Sequence, residues 1–182
     1  MPIRRILLLG DPMLRQISRP VSDLSSAAPI LTDLRDTLAE FRRTHGFGRG
    51  ISAVQIGEPI RIIYLEVDGQ AYEIVNPVFV GKSAETFELW DDCFSFPDLL
   101  VRLRRSVEVR LRYWSPDGEQ HELDARDSLS ELVQHEMDHL EGILAIDHAI
   151  DRNSLAVREE WKRQYQSSPV FPEASRRKTL FS

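Results

Sequence analysis

The stretch "LVQHEMDHLEG", Leu132 to Gly142, carries two histidines four residues apart and a glutamate directly after the first. Four residues are about one helical turn, so on a helix His135 and His139 project from one face and can bind one ion together. Glu136, beside the first of them, can face the ion's open position as a base. The helix has its own signals: Ser128 as N-cap with Glu131 three residues later fits a capping box. It runs to about Leu140, with Gly142 near its end. The same spacing also suits a surface helix with two solvated histidines. A catalytic zinc-type site wants three protein ligands and an open position. Position 145, where a histidine would complete one known pattern, is Ala145. Glu159 and Glu160 are placed for a thermolysin-like site. Cys93, the single cysteine, offers a soft thiolate suited to zinc or ferrous iron, or else a buried structural thiol.

The bulk of the chain bounds the rest. Its 182 residues favour one domain, since domains run roughly 100–200 residues. Hydrophobic residues at 42% and charged residues at 29% are an ordinary globular balance. A net charge of -6 supplies no basic field for nucleic acid or anionic lipid, so neither partner is expected. The apolar run Ile6–Leu9 is far below the roughly 18 residues of a membrane span. It is also too short for a signal-peptide core despite Arg4 and Arg5, and a cytoplasmic location is expected. One cysteine excludes an intramolecular disulfide.

Leu31, Leu34, Leu38 and Phe41 predict an amphipathic helix over 28–44, ended by the glycine-rich 45–50. Residues 61–67 and 71–75 read as strands around the turn Asp68-Gly69, with Asn76-Pro77 breaking the second. Val107, Val109, Leu111 and Tyr113 alternate with charged residues as a half-buried strand. The turn Ser115–Gly118 leads to a returning strand over 121–125. Residues 151–166 are a third helix candidate. Residues 167–182, with two prolines and the basic cluster Arg176–Lys178, read as a tail, leaving 1–166 as the domain. Strands and helices without a βαβ rhythm argue for an α+β fold.

Two further stretches bear on the third ligand. Around Cys93 stands "WDDCFSFPD", Trp90 to Asp98, and upstream stands "GRGISAVQIG", Gly48 to Gly57. With "QHEMDH", Gln134 to His139, they resemble the three ordered motifs of the peptide deformylase family: Gly-x-Gly-Leu-Ala-Ala-x-Gln, Glu-Gly-Cys-Leu-Ser and Gln-His-Glu-x-x-His. The order and separations match from about residue 3 to 150. The third motif matches fully, the first keeps both glycines, Ala53 and Gln55, and the second keeps Cys93 and Ser95.

The resemblance implies a single α+β domain of mostly antiparallel sheets around a central metal-binding helix. It implies that Cys93, His135 and His139 hold one divalent ion, ferrous iron in cells and often zinc or nickel in preparations. Glu136 would take a proton from the activated water and pass it to the departing amine. The Gln55 side-chain NH2 and the Phe94 backbone N–H would meet the charge growing on the formyl oxygen. The substrate implied is a formyl-methionyl peptide, which releases formate, with the ribosome a further candidate partner for the tail. Gly48 and Gly50 read as turn glycines and also as positions where an extended peptide approaches the backbone.

Several positions depart from the family. Glu131 stands one turn before His135 where the family is generally apolar, and Arg49 replaces an apolar residue between the motif glycines. One reading pairs Glu131 with Arg49 at a polar pocket; the other leaves Glu131 to the capping box and Arg49 to solvent. Asp92 replaces the glycine before the cysteine. It is expected to keep the turn by tolerating a left-handed backbone and to add negative charge beside the ion. The family's peptide-holding arginine after the second motif is absent, with Arg102 and Arg104 as candidate substitutes. These departures leave open a divergent paralogue acting on a more polar N-formyl or N-acyl substrate, or an inactive peptide-binding module.

Overall fold

The computed structural model describes residues 3–166; the expected tail over 167–182 lies outside them. The apolar stripe of the first helix buries Leu31, Leu34, Leu38 and Phe41, and α1 spans Ala27–His45. Gly46 ends it with φ 77°, and its N–H donates to Arg42 O, a left-handed cap that glycine adopts without steric cost.

Eight strands follow in two antiparallel sheets. They are β1 (Gly50–Ser52), β2 (Ile62–Val67), β3 (Gln70–Lys82), β4 (Thr86–Asp92), β5 (Leu99–Ser106), β6 (Glu108–Trp114), β7 (Gln120–Arg126) and β8 (Leu155–Val157). The larger sheet has the order β1-β2-β3-β6-β7, the smaller β4-β5-β8. The expected hairpins β2–β3 and β6–β7 form, with Val67 opposite Gln70 and Trp114 opposite Gln120.

The second helix, α2 (Ser128–Leu140), is central: ten of its thirteen residues are buried. Leu132, Val133, Met137 and Leu140 pack against Ile63, Leu65, Ile74, Val109 and Leu111 of the larger sheet. Ser130 and Gln134 fasten the helix to the end of β5, donating to Ser106 O at 2.8 and 3.0 Å. Among the described residues no helix is long and apolar enough to cross a membrane.

Three expectations change, and two strands come without one. Asn76-Pro77 does not end β3. Asn76 takes φ 50° at a register shift between Val75 and Val78, a bulge where proline's missing N–H costs no ladder bond. The capping box of α2 does not form: Asp127 occupies the N-cap with φ 51° and no side-chain cap. Arg49 draws both box residues away, bonding Ser128 Oγ and Glu131 Oε2. Residues 151–166 are not one helix. Asp151 closes a turn with Asn153 and Ser154, β8 pairs with the start of β5, and α3 covers only Arg158–Gln164. Finally, β4 and β5 lacked a sequence signal because their inward positions include Asp91 and Arg105, both buried. Charge at a core-facing position hides strand alternation.

Candidate metal centre and its cavity

The spacing that put His135 and His139 on one face brings both to the end of β4, where the next residue is Cys93. The ligand atoms of these three residues lie within 4.8 Å of one another, and all three residues are buried. Cys93 Sγ is 3.3 Å from His139 Nε2. His135 turns Nδ1 to Asp91 Oδ2 at 2.9 Å, which leaves Nε2 as its ligating nitrogen.

The residues fit a divalent ion on the chemistry of the donor set. One sulfur and two imidazole nitrogens suit zinc or ferrous iron. Burial pushes His139 down to about 3, so its ring is neutral at pH 7, as ligation requires. For His135, burial also lowers the pKa. The negative charge of Asp91 and of Cys93 outweighs it and, for the protein groups alone, holds the ring well above 6.5; an ion competes with that proton.

Asp91 is a site residue the sequence did not announce. It continues the inward face of β4 after Phe87 and Leu89. Beyond His135 it meets Arg105 Nη2 at 3.3 Å, and Arg105 also pairs with Asp138. Asp91, Glu131 and His135 also converge within 4.8 Å, but arginines already engage both carboxylates.

Glu136 lies beside the triad, with Oε2 accepting from Ser52 Oγ at 2.6 Å. Burial raises its carboxyl to about 7, against the opposing pull of His135 and the Ser52 hydrogen bond. Gly50 makes room for it: a Cβ there would stand 2.7 Å from Leu65 and 2.8 Å from Glu136 Oε1. Gly48, at φ +124°, would place a Cβ 2.3 Å from the Phe94 ring. That ring stacks on Phe41 with centroids 3.8 Å apart. The motif glycines therefore first admit Phe94 and Glu136. Gln55 is locked by the Ser52 N–H donating to Oε1 at 2.9 Å. Its NH2 consequently faces Cys93 Sγ at 3.6 Å and Ser95 Oγ at 3.3 Å.

A cavity of about 770 Å³ opens onto the centre. Arg49, Glu131, Asp92, Arg158, Arg42 and Glu66 line it as three ion pairs: Arg49–Glu131 at 3.0 Å, Arg158–Asp92 at 2.8 Å and Arg42–Glu66 at 2.7 Å. Of the two readings for Glu131, the pairing with Arg49 is the one that forms.

Asp92 differs from expectation twice. It is the last residue of β4, opposite Leu100, so no left-handed backbone is involved. It adds no lone negative charge either, because Arg158 bonds its carboxylate, and burial raises its pKa despite that partner. Arg102 and Arg104 pair with Asp151 and Glu88 and do not line the cavity; Arg158, which the sequence did not single out, does. Glu159 is exposed, and Glu160 bonds Arg163 and Gln164, so neither reaches the centre as a thermolysin-like ligand.

A family model described as polypeptide deformylase matches residues 3–154. The chain is 37% identical over 155 residues to a peptide deformylase of Bartonella tribocorum, covering 81% of this chain and 85% of that one. It is 35% identical over 153 residues to that of Mesorhizobium japonicum, with the same coverage. Among solved structures, the peptide deformylase of Thermotoga maritima superposes with a TM-score of 0.77 at 28% identity, over 83% of this chain and all of the other. A Met-Ala-Ser-bound class I type b peptide deformylase from Acinetobacter baumannii gives 0.74 at 26% identity, over 81% of this chain and 98% of the other.

Proposed function

The chain belongs to the polypeptide deformylase family, metal-dependent enzymes that remove the N-formyl group from peptides, and from that premise we propose which residues carry each step. Cys93, His135 and His139 hold one divalent ion, ferrous iron in the cell, with zinc or nickel as replacements that the thiolate–imidazole set accepts. When bound, such an ion polarises the formyl carbonyl and makes a water acidic near neutral pH.

Glu136 is the proton carrier. It takes a proton from the attacking water and returns it to the amine nitrogen as the C–N bond breaks; burial, which raises its carboxyl in the ion-free protein, keeps the proton on it for that return. Ser52 fixes which carboxylate oxygen stays engaged. The Gln55 NH2 and the Phe94 backbone N–H donate to the formyl oxygen as charge develops there; one such donor is worth roughly 3 kcal/mol of barrier. Asp91 positions His135 through Nδ1. Gly48, Arg49, Gly50, Asp92 and Glu131 form the walls that receive the peptide.

The substrate is a formyl-methionyl peptide in the cytoplasm, met as the chain leaves the ribosome. The observation that carries this reading is the buried Cys93–His135–His139 cluster with the Glu136 carboxylate bonded beside it. Formate release from formyl-Met-Ala-Ser by iron-loaded protein tests it, with Glu136→Gln as the blank. Turnover by the wild type and a loss of about 10²–10⁴-fold in the variant is expected. Equal rates for the two proteins would refute the assignment of Glu136.

A further inference from the structure

The peptide unit between Cys93 and Phe94 bridges two apolar cores. Cys93 packs in a cluster with Phe87, Leu89 and Phe96, whereas Phe94 packs in another with Leu38, Phe41 and Ile51. The carbonyl of that unit is fixed locally, since Cys93 O accepts from the Phe96 N–H at 3.1 Å. Its other end carries the N–H assigned above to the formyl oxygen. Among the described residues that N–H has no hydrogen-bond partner, so no bond aims it. Its direction depends on what holds the Phe94 Cα.

The Cα is held through the ring. His45 and Phe94 both stack on Phe41, with centroids 4.0 and 3.8 Å away and planes 8° and 18° apart. Two near-parallel rings that close cannot share a face, so Phe41 is clamped between them. Phe47 meets Phe41 and Phe94 edge-on, at 5.3 and 6.3 Å. The room that Gly48 leaves is filled by the Phe94 ring, which limits its freedom to turn. Phe94 lines the metal cavity; Phe41, on α1, does not. Both border a separate apolar groove of about 280 Å³, so Phe94 stands as the partition between the two spaces.

We propose that Phe41 is a positioning residue for the deformylation step. By stacking on Phe94 it fixes the Phe94 N–H where the formyl oxygen gains charge, and a ring outside the cavity thereby sets kcat. This rests on the functional reading above in taking that N–H as a donor to the formyl oxygen. Such a donor acts only if it is preorganised, and a displacement of about 1 Å can cost on the order of 10²-fold. The test is a cycle of wild type, Phe41→Leu, Phe94→Leu and the double variant, iron-loaded to equal occupancy. Phe41→Met removes the ring a second way while filling most of its volume. Leu34→Val, in the same helix and core, is the control for lost packing alone.

On formyl-Met-Ala-Ser, both Phe41 variants should lower kcat about 10-fold with KM within about 2-fold. The double variant should lose no more than the worse single one, as residues acting as a unit do. Leu34→Val should lower Tm and leave kcat within about 2-fold. In zinc-loaded, ¹⁵N-phenylalanine-labelled protein, relaxation dispersion of the Phe94 amide reads microsecond-to-millisecond motion directly. The profile should be flat in the wild type and curved in Phe41→Leu and Phe41→Met. Unchanged kcat in the Phe41 variants, additive losses in the cycle, or flat profiles throughout would overturn the proposal. An amide that loosens in the Phe41 variants, in a protein whose wild type releases no formate, would sink the functional reading and leave the hold of Phe41 on this peptide unit standing.

Discussion

Replacing Arg49 by leucine removes an ion-pair partner of a carboxylate that has almost no access to water. The Glu131 side chain is 5% exposed and that of Arg49 is 33%, so the two residues are not equivalent. Breaking a buried pair from one side costs about 3–5 kcal/mol. Partial exposure of Arg49 reduces the Coulomb share, while loss of its 2.6 Å bond to Ser128 Oγ adds to the cost. About 2 kcal/mol is expected, or 4–8 °C at ~2–4 °C per kcal/mol for a chain of 182 residues. Glu131→Leu should cost about half as much, because the arginine left behind can turn toward water. The double replacement should return to within about 1 kcal/mol of wild type, as apolar isosteres of buried pairs often do. The coupling between the sites is then about 2–3 kcal/mol in magnitude. Thermal and urea melts of the four proteins, all carrying the same metal at the same occupancy, give the cycle. Additive effects, or Glu131→Leu costing more than Arg49→Leu, would refute the reasoning.

Asp91→Asn should weaken metal affinity by about 10–100-fold, as changes next to ligating histidines do; chelator competition reads this, and unchanged affinity would remove Asp91 from its positioning role. Gly50→Ala pushes a methyl into the space of the Glu136 carboxylate, so kcat should fall at least about 10-fold with bound metal retained; wild-type kcat would show that the carboxylate is not confined there. In ion-free protein, the Glu136 pKa is raised from 4.5 to about 7, so the folded state binds more protons than the unfolded one between those values. Its contribution to stability is complete below about pH 4.5 and is lost as pH rises through 7, on the order of 3 kcal/mol in all. Subtracting the Glu136→Gln stability curve should isolate that slope, and parallel curves would mean the carboxyl titrates normally.

The metal centre was legible because its parts are local: four-residue spacing on a helix and short motifs around Cys93 and Gln55. The hairpins were legible because their turns and alternation are local too. Asp91, Arg105 and Arg158 were not, since each matters through a partner far along the chain: Asp91 through His135, Arg105 through Asp138, Arg158 through Asp92. The same residues concealed secondary structure, with Asp91 and Arg105 charged on the inner faces of β4 and β5. The capping box failed for a related reason. Ser128 and Glu131 satisfy a local rule, but Arg49, 79 and 82 residues away, offers a charge-assisted alternative to both.

The central claim is that one sulfur and two imidazole nitrogens bind a single ion. X-ray absorption at the zinc edge of the zinc-loaded protein tests it most directly. The account predicts one sulfur at about 2.3 Å and two imidazole nitrogens at about 2.0–2.1 Å, with the sulfur lost in Cys93→Ala. A wild-type spectrum with nitrogen and oxygen neighbours but no sulfur would contradict it.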